Sequence, residues 1–188
     1  MILKSNDSCL PAHSETADQA ATEGSWQQAR EAAIYYLSLK KSSSGQVRRY
    51  LVRKGWSAPA AAAVTQTLVN DGYINDLLLA QQVLKGRCGS KAESFAHLEQ
   101  RLKRLGFPSA VRFQALETYR HEGQSDLKLL AAFLKSKYAS ELRLLRDQEL
   151  TPAESRELHL LLRRRSASRG FSPAVLRQLL NLWGLTSE

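Results

Sequence analysis

The chain has little cysteine: Cys9 and Cys88 are the two cysteines among 188 residues. Neither belongs to a CxxC pair, and no cluster of histidines accompanies them. Zinc sites and disulfide frameworks need several such residues at set spacings, so the sequence argues against both. We expect two free thiols and no metal or other cofactor.

Long apolar runs are also missing. No stretch approaches the roughly 20 apolar residues that a helix needs to cross a bilayer, and the first residues lack the basic start and apolar centre of a signal peptide. No segment alternates every two residues with many valine, isoleucine or threonine residues, so no sheet is predicted. We therefore expect an all-α cytoplasmic protein that does not bind a membrane.

Catalytic motifs are missing too. The sequence has no GxxxxGK[ST] loop and no GxGxxG pattern after a strand, so it offers no cradle for a nucleotide phosphate. Glu93 and His97 stand four residues apart, but such pairs are common on solvated helix faces, and no nucleophile accompanies them. Cys88 follows Arg87 but has no histidine partner. We predict a protein without enzymatic activity and interpret Glu93 and His97 as a surface pair.

The chain has an excess of positive charge. Lysine and arginine number 27 against 18 acidic residues, for a net charge of +9. Residues 1–25 are acidic and show no helical periodicity, which predicts a disordered tail outside the fold. The remaining residues are more basic than the whole chain. Such a charge is typical of a protein that binds nucleic acid or an acidic protein surface.

One pattern occurs three times: an apolar and basic helix end, a glycine, an aromatic residue, and a helix start marked by serine or proline. The three copies centre on Gly55-Trp56, Gly106-Phe107 and Gly170-Phe171. Glycine tolerates the left-handed conformation that ends a helix, while serine and proline favour the first positions of the next one. The pattern therefore predicts an internal repeat of helices.

Apolar periodicity divides the predicted helices into three units of three helices. The first unit covers residues 26–73 and begins with a helix near Trp26, the second covers 74–123, and the third covers 124–188. An insertion near 138–151 lengthens the third unit. Because each unit of a repeat protein packs mainly on its neighbours, we expect an elongated, curved array.

These features resemble the RecX family of bacterial regulatory proteins. The resemblance covers roughly residues 26–184 and rests on the joint Gly72-Tyr73-Ile74-Asn75-Asp76, on Ala80 and Lys85-Gly86-Arg87 after it, and on the set of glycine-aromatic joints. It implies three tandem three-helix units that bind the RecA recombinase and its filament on single-stranded DNA. Such proteins restrain filament growth, ATP hydrolysis and strand exchange without catalysis of their own.

The second helix of each unit is predicted to be basic on its outer face. If these helices line up, their side chains form a basic stripe along a phosphate backbone or an acidic filament groove. The alternative is a solvated helix face whose lysine and arginine stems cover apolar neighbours. The predicted basic stripe comprises Arg48, Arg49, Arg53, Lys54, Arg101, Lys103, Arg104, Arg163, Arg164, Arg165 and Arg169.

The aromatic residues of the repeated pattern allow two interpretations. Trp56, Phe107 and Phe171 could stack on bases, as aromatic platforms do in proteins that bind single strands. An apolar residue just after a helix-ending glycine usually packs back on the helix that it ended. We therefore predict that these three side chains belong to the core.

We expect a monomeric regulator that attaches to a RecA filament on single-stranded DNA through the basic stripe. The first alternative is a DNA-binding protein without sequence preference that acts without RecA through the same stripe. A helix-turn-helix transcription regulator is disfavoured, because no helix gathers asparagine, glutamine, arginine and serine on one exposed face for reading base edges. The sequence does not distinguish inhibition of the partner from tuning.

Overall fold

A computed structural model describes residues 14–185 of the chain, with side chains from Ser25 onward. Over these residues the fold is all-α, as predicted, with ten α-helices, a short 3-10 turn at Gly89–Lys91 and no strand. The helices are α1 (Ser14–Leu39), α2 (Ser44–Arg53), α3 (Ala58–Asn70), α4 (Asp76–Lys85), α5 (Phe95–Leu105), α6 (Ser109–His121), α7 (Asp126–Lys137), α8 (Ala139–Arg146), α9 (Pro152–Ser168) and α10 (Pro173–Leu182).

The first helix is longer than the sequence predicted. α1 begins at Ser14 rather than near Trp26, so residues 14–25 are helical and the prediction of a disordered tail is wrong for them. Half of residues 14–25 are alanine, glutamate or glutamine, which are good helix formers, and the stretch contains no proline. Its lack of apolar periodicity predicted disorder, but a helix that adds turns to an existing one needs no second nucleus. The rest of the predicted tail, residues 1–13, lies outside the described residues.

The helices fall into two compact units. Unit 1 contains α1, the part of α2 from Gln46 onward, α3, and the residues after α3 as far as Ile74. Unit 2 contains Ser43–Gly45 and the chain from Asn75 onward. The finer division of unit 2 into two three-helix units, and the elongated shape of the array, stay predictions.

The core of unit 1 is formed by small and branched apolar side chains from α1, α2 and α3. Val47 and Leu51 are the buried residues of α2, and they occupy one face at a spacing of one helical turn. Full burial of a side chain such as Leu51 stabilises the fold by about 1.5–3 kcal/mol. Trp56 is half-buried against this core. The core also contains Ala29, Ala33, Ala61, Val64, Leu68 and Ile74.

Unit 2 has a larger core built from leucine and phenylalanine. Leu98 and Leu102 turn one face of α5 inward, and Leu162 does the same for α9. Phe107 and Phe171 are each 3% exposed, so the prediction that they belong to the core is confirmed.

The helix ends at the repeated pattern have the conformation that the glycines predicted. Gly106 has φ +84°, in the left-handed region that L residues with a side chain rarely adopt. The next N–H, that of Phe107, donates back to the carbonyl of Leu102 at 3.2 Å, which closes the last turn of α5. Gly55 and Gly170 are also left-handed, with φ of 103° and 82°.

Residues 138–151 contain a helix of their own, α8, and the loop that leads to α9. Leu142 turns inward from α8 and belongs to the core of unit 2. α9 begins with a reciprocal cap: the Thr151 hydroxyl accepts from the Glu154 N–H at 3.3 Å, and the Glu154 carboxylate accepts from the Thr151 N–H at 2.8 Å. This cap fixes where α9 starts.

Candidate nucleic-acid interface

The basic side chains of α2 point away from the core of unit 1. Tyr50 stacks on Tyr36 with ring centroids 4.3 Å apart, and the Lys54 ammonium lies 5.9 Å from the Tyr50 ring centre. Val47 and Leu51 are buried and Tyr50 is stacked, while Val52 is 45% exposed. The predicted residues of this helix and the one just after it are exposed: Arg48, Arg49, Arg53 and Lys54.

The predicted cations near the end of α5 are exposed as well. Leu98 and Leu102 face inward, while Lys103 and Arg104 stay in solvent. They lie in the last turn of the helix, where free carbonyls favour positive charge. The carbonyls at the end of α5 therefore stabilise the positive charges of Lys103 and Arg104, which are also available to bind an anion.

α9 has the third group of exposed cations. Leu158, Leu162 and Ser166 are buried at successive turns of this helix. The three arginines between the last two of them lie in solvent: Arg163, Arg164 and Arg165. α2, α5 and the C-terminal part of α9 thus share one feature: each has buried residues on one face and exposed cations on another.

Arg101 is half-buried and forms an ion pair with the buried carboxylate of Glu93. Its Nε donates to Glu93 Oε2 at 2.8 Å, and its Nη2 donates to Oε1 of the same carboxylate. The Glu93 side chain is 8% exposed, and Arg87 lies 3.9 Å from it. The hydrogen bond from Arg101 lowers the pKa of Glu93, assisted by the charges of Arg101, Arg87 and Arg169, while burial opposes the shift.

Glu93 therefore does not form the surface pair with His97 that the sequence predicted, and that prediction is wrong. The residue precedes α5, because Ser94 is the N-cap and accepts from the His97 N–H. Spacing of four residues brings side chains together only within a helix. Glu93 instead folds back toward Arg101, two turns further along.

Arg169 is also held by the fold. It is half-buried, and its guanidinium carbon lies 5.2 Å from the centre of the Phe133 ring. Its backbone carbonyl accepts from the Ser94 N–H at 3.0 Å. Arg101 and Arg169 therefore have structural contacts, which the prediction of a uniformly exposed basic stripe did not include.

The same contacts join the end of α9 to the start of α5. Gly170 packs so closely on Ser94 and His97 that a Cβ there would overlap both side chains. The start of α2 has a similar contact inside unit 2: the Ser43 hydroxyl donates to the carbonyl of Leu105 at 2.5 Å. Gly45 lies directly against the backbone of Gly106. The residue before each helix thus contacts the end of another basic helix.

A basic pocket in unit 2 escaped the sequence analysis. Lys135 of α7 joins Arg143 and Arg146 of α8 around a cavity of about 360 Å³, and Trp183 and Leu185 form part of its wall. The Lys135 ammonium lies 5.5 Å from the Trp183 ring centre. These residues come together only through the packing of α8, whose position the sequence did not indicate. Cations beside an aromatic ring suit a single strand of nucleic acid.

The described residues contain no cluster of histidine, cysteine, aspartate or glutamate that could hold a metal ion. None of the helices between residues 14 and 185 is long and apolar enough to cross a bilayer. The described part of the chain is therefore all-α and exposes basic residues on α2, α5 and α9.

Comparison with known proteins shows which proteins this chain is similar to. The model of the first three-helix domain of RecX matches residues 29–68. Regulatory protein RecX of Prosthecochloris aestuarii is 28% identical over 149 residues, which cover 79% of this chain and 89% of the relative. Regulatory protein RecX of Lactococcus lactis subsp. cremoris (strain SK11) is 28% identical over 120 residues, but the match spans 45% of that relative.

Two solved structures share the fold. The crystal structure of RecX from Lactobacillus salivarius has a TM-score of 0.65 and 16% identity, covering 86% of this chain and 97% of that one. A second crystal structure of regulatory protein RecX has a TM-score of 0.65 at 15% identity, with coverage of 92% and 79%. The chain is thus similar to RecX proteins in sequence and in fold.

Proposed function

We propose that this protein binds the filament of the RecA recombinase on single-stranded DNA and restrains filament growth, ATP hydrolysis and strand exchange. The observation that carries the proposal is the feature shared by α2, α5 and α9. Each buries several apolar side chains and exposes several cations, and exposed cations are what binding of a polyanion requires. The relatives are named regulatory proteins, in agreement with a role through binding.

Nine residues of the basic stripe supply the attachment in this proposal. Their exposed guanidinium and ammonium groups meet DNA phosphates or carboxylates of the filament. Arg101 and Arg169 serve instead to hold the start of α5. The attachment residues are Arg48, Arg49, Arg53, Lys54, Lys103, Arg104, Arg163, Arg164 and Arg165.

Regulation in this account needs no chemistry from the chain itself. A monomer that binds one state of a filament more tightly than another shifts the balance between them by its difference in binding free energy. The ATP whose hydrolysis slows is bound by RecA, and the regulator acts in the cytoplasm without a cofactor. Such a mechanism requires an extensive binding surface rather than an enclosed active site.

A second candidate function is direct binding of single-stranded DNA without RecA. The pocket formed by Lys135, Arg143, Arg146 and Trp183 favours it, because it combines an aromatic ring with cations and has no carboxylate among its lining residues. The same exposed cations on α2, α5 and α9 would then follow the strand itself.

A charge-removal variant tests the attachment. We would replace Arg48, Arg53, Lys103 and Arg163 by alanine, which removes exposed cations from all three helices. Binding to the RecA filament should weaken at least tenfold, and for each lost phosphate contact the slope of log affinity against log salt should flatten by about 0.7. Helical circular dichroism should stay at the level of the parent.

The control removes the same charge elsewhere. Lys128, Lys137, Arg156 and Arg177 are exposed cations outside the basic stripe and outside the pocket around Trp183. Their replacement by alanine should change filament binding much less. Equal losses in the two folded variants would mean that net charge, and not the basic stripe, determines binding.

A further inference from the structure

A groove between α8 and α9 exposes apolar side chains on a chain that is otherwise strongly basic. It encloses about 490 Å³, a size typical of ligand sites. Leu150, Leu158 and Leu161 line it. Leu160 on α9 is 54% exposed and Leu144 on α8 is 36% exposed, although both are large apolar residues.

The rim of this groove is acidic. Glu141, Glu154 and Glu157 line it, with Arg164 of the basic stripe as its one cation. The Glu154 carboxylate is fixed by its bonds to the Thr151 hydroxyl and N–H, and the first of these in particular lowers the pKa of Glu154. It therefore stays charged at neutral pH. The protein has a net charge of +9, so the acidic rim is a local negative patch on a positively charged protein.

The charges and the leucines together select the class of partner. Carboxylates on the rim repel nucleic acid and anionic lipid, while exposed leucines disfavour a purely polar ligand. A helix that carries apolar side chains at positions i, i+3 or i+4 and i+7, with lysine or arginine beside them, satisfies both features. A groove lined by apolar side chains of helices is a common receptor for such a helix.

We propose that the α8–α9 groove is a docking site for a basic amphipathic helix of a protein partner. Leucines of the groove receive the apolar anchors, and Glu141, Glu154 and Glu157 pair with the cations beside them. The site is formed by α8 and by α9 as far as Arg164. Arg164 is the one residue that it shares with the proposed attachment to the RecA filament, and its leucines and carboxylates do not depend on that proposal.

Two synthetic helical peptides test the site on the full chain. Both have leucine at positions i, i+3, i+4 and i+7; the first has lysine at its other charged positions, and the second has glutamate there. Fluorescence anisotropy should show that the lysine peptide binds at least about tenfold more tightly than the glutamate peptide, because like charges oppose the second. Equal affinities, or no binding of the lysine peptide, would overturn the proposal.

Variants locate the binding. Leu160→Asp should weaken the lysine peptide at least about tenfold, as loss of an interface anchor does. Leu182→Asp is the matched control, since Leu182 is 66% exposed on α10 outside the groove, and it should leave the affinity unchanged. If both variants weaken the peptide equally, or Leu160→Asp has no effect, the peptide binds elsewhere and the proposal is wrong.

A charge reversal tests the rim. Glu157→Lys should weaken the lysine peptide and strengthen the glutamate peptide, whereas Glu99→Lys, at an exposed site on α5, should change neither by more than about twofold. If Glu157→Lys changed the affinities of the two peptides no more than Glu99→Lys does, the predicted ion pairs would be contradicted. Filament binding by Leu160→Asp should equal that of the parent, so failure here is distinct from failure of the proposed function.

Discussion

Replacement of Glu93 by glutamine removes the charge of the buried carboxylate and keeps its size. Exposed ion pairs contribute about 0–1 kcal/mol, whereas breaking a buried pair costs about 3–5 kcal/mol. The Glu93 side chain is 8% exposed and Arg101 is 25% exposed, so the cost of breaking this pair should lie between the costs for exposed and for buried pairs. We expect Glu93→Gln to lower the free energy of unfolding by about 2 kcal/mol at neutral pH.

The effect of Glu93→Gln should depend on pH. The pKa of Glu93 lies below its ordinary value of 4.5 because Arg101 donates hydrogen bonds to the ionised carboxylate. A carboxyl whose folded pKa is lowered stabilises the fold fully above its unfolded pKa and loses this contribution as the pH falls through the folded value. The difference between parent and variant should therefore be largest at neutral pH and shrink progressively below pH 4.5.

Urea unfolding, followed by circular dichroism at several pH values, measures this difference. Glu117→Gln is the control, because Glu117 pairs with Arg120 on the surface, where their side chains are 34% and 55% exposed. It should change stability by less than about 0.5 kcal/mol. An unchanged midpoint for Glu93→Gln at neutral pH, or a loss that stays constant into acid, would refute the argument that a buried ionised pair holds the start of α5.

Three further changes test the helix ends by urea unfolding. Gly106→Val should cost about 1 kcal/mol or more, because a β-branched residue is disfavoured at φ +84°; an unchanged midpoint would contradict it. Asp126→Ala should cost about 1 kcal/mol, since its carboxylate accepts from the Phe95 N–H at 2.7 Å; Asp126→Asn should recover part of this loss if the bond matters. Thr151→Ala removes the cap of α9 and should cost about 1 kcal/mol, whereas no change would mean that the cap frays.

The helices of the repeated pattern could be predicted from sequence because their signals are local. A glycine that must be left-handed, such as Gly106, and leucines one turn apart, such as Leu98 and Leu102, lie within a few residues of each other. The burial of Phe107 and Phe171 followed from their place after such glycines. Local chemistry therefore determined where these helices end and which faces they bury.

The contacts that the sequence missed depend on packing between segments. Glu93 meets Arg101 because the chain before α5 turns back, and the carbonyl of Arg169 reaches Ser94 from a different helix. The start of α1 was missed because a helix of alanine and charged residues has no apolar periodicity to reveal it. The basic pocket beside Trp183 requires the position of α8, which depends on the packing of α8 in the core of unit 2.

The proposed function depends on recognition of the filament rather than of DNA alone. The measurement that tests this most directly compares binding of the purified protein to bare single-stranded DNA and to single-stranded DNA coated with RecA, at one salt concentration, since attachment through cations varies steeply with salt. Our account predicts tighter binding to the coated strand, together with slower ATP hydrolysis by the filament. Equal or weaker binding to the coated strand would contradict it.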